Sequence, residues 1–192
     1  MSVCRNIHRS WRNLARRLRR DRRGSVVVSF ALLIPLIATV SVAILEFASV
    51  GLDYHRAGEA TRRGARLAAI LPPVADLSGL SPNASITCTA AGGAPACDGG
   101  FVLAPDSFDS VIASMSAMLP AIAGENVEII YSQSGLGDAA TPGGLLPLVQ
   151  VRLTGVSHSY AVLASLVPGL PSALILPDFS TTSLAGGFQS VE

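Results

Sequence analysis

Residues 25–50 read SVVVSFALLIPLIATVSVAILEFASV, an apolar run whose single charge is Glu46. A helix of that length, at ~1.5 Å per residue, spans roughly 39 Å, more than a ~30 Å hydrocarbon core requires. The pattern predicts one membrane crossing. The core helix of a soluble domain can be as apolar, but rarely for so long beside an arginine cluster. Helical character continues over residues 52–71, which carry Ala57, Ala60, Ala65, Ala68 and Ala69 and stop at Pro72-Pro73. One helix of about 45 residues is expected, half in lipid and half as a stalk.

Beyond the prolines the periodicity changes. Phe108, Val111, Ile112, Met115, Met118 and Leu119 recur at helical spacing and predict a helix over 106–119, capped by Asp106 and ended by Pro120. Residues 127–133 are rich in β-formers. In 148–154, Val149, Val151 and Leu153 alternate with Gln150, Arg152 and Thr154, predicting a half-buried strand, and 179–184 is a further strand candidate. The Gly/Pro-rich stretch 134–147 is long for a hairpin connection. Residues 160–176 are apolar, but Pro168 and Pro171 break the run and argue against a second span. The fold class is therefore α+β: a long N-terminal transmembrane helix continuing into a stalk, then a small extracytoplasmic α+β domain with an antiparallel sheet. Its expected parts are a leader (1–24), a transmembrane helix (25–50), a stalk (51–71) and the domain (72–192).

Charge gives this layout a direction. The chain has no lysine, and nine of its 14 basic residues lie before Gly24 against one acid, Asp21. From residue 67 onward Arg152 is the single base against nine acids. Positive charge flanking a span resists translocation, so the N-terminus is expected in the cytoplasm and the acidic region outside. Arg56, Arg62, Arg63 and Arg66 beyond the span are partly offset by Asp53 and Glu59. Trp11, Leu14 and Leu18 suggest a short amphipathic helix on the bilayer surface. Arginines can also bind nucleic acid, but no aromatic interleaving accompanies these, and no nucleic-acid partner is expected. The apolar run is too long for a cleaved secretory signal, and no small-residue cleavage site follows it directly.

Candidate chemistry is sparse. Cys88 and Cys97 enclose TAAGGAPA, and in an oxidising compartment a disulfide there would fix a loop with little core of its own; two free thiols are the alternative. No metal site is expected, since neither cysteine has a histidine at zinc-like spacing. Neither G-x-S-x-G, H-E-x-x-H nor a phosphate-binding glycine loop occurs, which argues against an enzyme, a cofactor or a small-molecule substrate.

Arg22-Arg23-Gly24-Ser25 precedes the apolar helix directly and resembles a type IV pilin-like class III signal, which a membrane peptidase cuts after the glycine. Further on come Phe30-Ala31-Leu32-Leu33-Ile34-Pro35-Leu36, Leu45-Glu46-Phe47 and Arg63-Gly64-Ala65-Arg66. With these motifs the chain resembles the TadE-like pseudopilins of tight-adherence (Flp) pilus systems over roughly residues 21–69. The resemblance implies processing between Gly24 and Ser25, and as partners the cytoplasmic membrane, a prepilin peptidase and other pilus assembly subunits. Type IV pilins carry glutamate at the fifth mature position, where Ser29 stands here. Serine can hydrogen-bond to a neighbouring N-terminal amine but cannot neutralise it.

Ser29 and Glu46 are thus the candidates for contact within the membrane. Glu46 lies about 32 Å along the helix from Ser25, near the outer interface, where its carboxylate can reach headgroups and water or a partner subunit. Pro35 frees one carbonyl and allows a kink. The expected function is a non-catalytic minor pilin or membrane-anchored assembly component; the alternative is an unprocessed envelope protein that crosses the membrane once and binds a partner or surface ligand.

Overall fold

One helix, α1, runs without a break from Arg22 to Ile70, rich in Ala, Leu and Arg, in a computed structural model that describes residues 22–78, 80–81, 83–98, 101–134, 147–167 and 169–185. Pro35 lies inside α1. The Thr39 and Ser41 hydroxyls each donate to the carbonyl one turn back, at 2.8 Å, so these polar groups are satisfied within the helix. Between residues 26 and 45 the helix is exposed nearly all round, and it is long and apolar enough to cross a membrane.

The C-terminal half of α1 has a buried stripe. Ala57, Ala60, Thr61, Gly64, Ala65 and Ala68 fall at i, i+3, i+4, i+7, i+8 and i+11, and every one is small. Small side chains let a neighbour approach the helix backbone closely. A Cβ on Gly64 would lie 2.6 Å from Met115 Sδ and 3.0 Å from its Cγ. Met115 belongs to α2, Pro105–Ser116, whose apolar face seats Phe108, Val111 and Met115 in the core. Pro105 opens α2, where a missing N–H costs nothing. Asp106 does not cap it, as the sequence suggested: the N-cap is Ala104, and Asp106 sits in the first turn, favourable to the helix dipole. The helix closes at Ser116, before Pro120, and Leu119 is held by its N–H to the Met115 carbonyl.

The sheet is antiparallel and five-stranded: β1 Ser85–Ala91, β2 Ala94–Cys97, β3 Val127–Ser132, β4 Leu148–Leu153 and the last strand, Phe179–Leu184, in the order β2-β1-β3-β4-last. Val127, Ile129 and Tyr131 of β3 and Val149, Val151 and Leu153 of β4 turn inward. Sheet and α2 both pack against α1, so its C-terminal half is a wall of the α+β region. On the other face Arg152 pairs with Asp178 at 3.0 Å and lies 3.9 Å from Glu128.

The segment expected to be a coreless loop is a hairpin. Cys88 and Cys97 are register partners across β1 and β2, joined by a disulfide, and Cys88 is wholly buried. Gly92 and Gly93 form the two-residue turn with φ of 69° and 92°, the backbone a tight hairpin turn demands. The correction has a plain cause: β1 is built mostly of Ser, Thr, Cys and Ala, and β2 has only four residues, so the apolar periodicity is weak. Between β4 and the last strand, residues 156–176 form a finger. Its arms are β5, Ser157–Ser159, and β6, Ala173–Ile175, with the single turn α3, Leu163–Leu166, between them; the last strand is hereafter β7. The arginine-rich stretch 1–21, including the amphipathic pattern around Trp11, and most of the long connection 134–147 lie outside the described residues.

Tyr131 ties the sheet to the chain leaving α1, its hydroxyl accepting the Val74 N–H at 3.0 Å. Burial pushes the phenol up to about 12, partly countered by that hydrogen bond. An acid whose folded pKa exceeds its unfolded value of 10.0 favours the fold below that pH. That contribution declines as pH rises from about 10 towards 12, and a Tyr131→Phe variant titrated by circular dichroism should lack this part of the alkaline loss. Gly64→Leu should cost about 1–3 kcal/mol through forced displacement of Met115. Gly51→Ala, with nothing within 4 Å of the added Cβ, should gain up to about 1 kcal/mol. Thermal denaturation of the detergent-solubilised chain measures both.

Candidate functional site

The stripe that seats the domain extends down α1 in polar form. Glu46, Ser49 and Asp53 continue it at helical spacing towards the apolar half, and the finger lies against them. Glu46 is only 8% exposed. Its carboxylate accepts the N–H groups of Val162 and Leu163, the latter at 3.1 Å to each oxygen. Hydrogen bonds from backbone amides to a carboxylate are strong, and they compensate its removal from water. The segment that supplies these amides lies more than a hundred residues further along the same chain.

One to two turns further along the helix, His158 bridges the finger to α1. Its Nδ1 is 2.6 Å from Asp53 Oδ2, and its Nε2 is 3.3 Å from Ser49 Oγ. The Ser49 hydroxyl also lies 2.7 Å from the Glu46 carbonyl, to which it donates. The order serine, histidine, aspartate is that of a nucleophile relay. Here, though, the serine is on a packed helix face with its proton directed into that helix, and the Val162 and Leu163 amides are occupied by Glu46. What this arrangement does chemically is hold: it clasps the finger to α1 at two levels. Higher on the same face Phe179 meets Tyr54, ring centroids 4.9 Å apart, and approaches Gly58.

The remaining sequence candidates are dispersed. Gly24 and Ser25 lie in the first turn of α1, and Gly24 has nothing within 4 Å of an added Cβ. Ser29 is exposed about 26 Å along the helix from Glu46, so the two do not meet. Among the described residues no group of three His, Cys, Asp or Glu side chains is placed to hold a metal. His158 and Asp53 were not singled out by the sequence, since a histidine 105 positions from its carboxylate leaves no local pattern.

These features define a small α+β region clasped onto the upper part of one long apolar helix. Residues 24–66 match the family model for TadE-like protein, so that segment of the chain is similar to the TadE-like family. That family implies association with tight-adherence pilus machinery and is generally non-catalytic. No curated protein and no solved structure matches the chain. The match ends within the buried stripe, so Gly64 and Ala65 of the family segment are residues that seat the domain.

Removing the carboxylate should free the finger without melting the sheet. In Glu46→Ala, amide hydrogen exchange at Val162 and Leu163 should accelerate while Ile129 and Val151 stay protected. Equal acceleration everywhere would mean that Glu46 supports the whole fold.

Proposed function

We propose that the chain is a non-catalytic, membrane-anchored component of a tight-adherence (Flp) pilus, a minor pilin or assembly factor acting through helix–helix and domain contacts. The carrying observation is the division of α1: residues 26–45 are unburied and apolar, and the packed face begins at Glu46. Those 20 residues make about 30 Å of helix, the thickness of a hydrocarbon core. In this reading the arginine-rich leader stays in the cytoplasm, residues 26–45 span the inner membrane, and the α+β domain stands outside, where its disulfide is favoured. The stalk then starts at Glu46, a few residues below the boundary expected at 51. The partners are the cytoplasmic membrane, a prepilin peptidase acting at Gly24-Ser25 and other pilus subunits, met along the exposed helix through residues such as Ser29.

Ser29 favours a second reading, because without a carboxylate there the helix cannot neutralise a neighbour's new N-terminus. The protein would then be an unprocessed envelope protein crossing the membrane once and binding a partner or surface ligand. Mapping the N-terminus of the membrane-extracted protein distinguishes the two. A start at Ser25 is expected; an intact start at Met1 or Ser2 would leave the anchor alone.

A further inference from the structure

The finger differs in composition from the domain that carries it. From Leu153 to Pro177 there is no Asp, Glu, Lys or Arg, although acids are spread through the rest of the region. Its described surface exposes Val162 (40%), Leu166 (46%), Val167 (41%) and Ile175 (71%). Hydrogen bonds close it at its root, from Leu176 N–H to the Val156 carbonyl and from Tyr160 N–H to the Ser172 carbonyl. Three contacts fix its direction against α1: Phe179 at Tyr54, His158 at Asp53 and Ser49, then Val162 and Leu163 at Glu46. The finger therefore descends the helix towards the apolar end, and its α3 turn reaches the level at which the unburied run 26–45 stops. At that level Ile44, Leu45 and Phe47 of α1 are themselves 63%, 70% and 79% exposed.

We infer that the α3 turn of the finger is an interfacial foot, which lays Val162, Leu166 and Val167 into the outer leaflet of the membrane beside the span. This rests on the proposed crossing by residues 26–45. The occupant is a lipid surface because the exposed side chains of α3 and of α1 form one apolar belt at the end of a bilayer-length helix. An uncharged segment loses no ionic hydration on entering that zone, where amphipathic elements bury about 5–10 Å deep. The clasp explains how a carboxylate is tolerated at this depth: Glu46 exchanges water for the Val162 and Leu163 amides and so orients the foot. His158, held by Asp53 and Ser49, fixes the finger one to two turns above.

Tryptophan fluorescence in vesicles tests this with the full chain. Trp11 is the sole tryptophan, so a Trp11→Phe background reports one introduced position at a time. Leu166→Trp and, as a reference for the span, Leu32→Trp are reconstituted into phosphatidylcholine–phosphatidylglycerol vesicles. Matched vesicles carry lipids brominated near the top or near the end of the acyl chain. For Leu166→Trp the expected result is a blue-shifted emission, lost most with shallow bromines and little affected by aqueous iodide. Leu32→Trp should lose emission most with deep bromines. If Leu32→Trp is quenched while Leu166→Trp is quenched by iodide alone, the foot is overturned and the span stands. If Leu166→Trp is reached by neither quencher, a protein surface covers the finger and the lipid foot is likewise overturned. If Leu32→Trp escapes the bromines too, the crossing itself fails, and the foot with it.

Discussion

The fold rests on a face of α1 that carries almost no side-chain bulk. With Ala57, Ala60, Thr61, Gly64, Ala65 and Ala68 in a row, the sheet and α2 approach the helix closely enough to share one core with it. Larger side chains would hold these layers apart and leave Phe108, Met115 and Tyr131 without contacts. The stripe also keeps a helix of 49 residues from requiring partners along its whole length. Its upper half is covered by the domain, and its lower half is left apolar and bare.

That division constrains the chemistry between the halves. Polar side chains on the same face, Glu46, Ser49 and Asp53, form the transition, and each is answered by the finger, through the Val162 and Leu163 amides or the His158 ring. A geometry that would suggest a relay in an open cleft functions here as a fastening. The disulfide plays a similar part at the far edge of the sheet, holding the four-residue edge strand β2, whose small side chains contribute little packing of their own, to β1. In the proposed topology these devices let a modest domain stand rigidly at the membrane surface, fit to contact neighbouring subunits.

Legibility in the sequence followed the strength of the periodic signal. The strand β7 matches the expected 179–184, and β3 and β4 fall within one residue of their expected ends, the latter two because apolar residues alternate there against a buried face. The α2 face was equally plain. The β1–β2 hairpin was not: Ser, Thr, Cys and Ala fill most of its arms, so no strong apolar alternation flanks Gly92-Gly93. The finger was read only as an apolar stretch interrupted by prolines, since three-residue strands and a single helical turn lie below what periodicity resolves. The TadE-like segment was recognisable from ordered local motifs, and 24–66 is the span that the family model matches.

By itself, the sequence determined the quantities that are local and additive: the length and apolarity of α1, the separation of charge along the chain, the α+β order of elements, and the proximity in sequence of Cys88 and Cys97. Those follow from propensity, periodicity and Coulomb repulsion acting over short separations. Tertiary structure decided where the apolar run stops being free. It also made Glu46 the anchor of a segment far along the chain, because only the folded sheet brings Val162 and Leu163 to it. His158 acquired Asp53 and Ser49 in the same way. Contacts between residues more than a hundred positions apart depend on how the layers stack, and no local pattern encodes that.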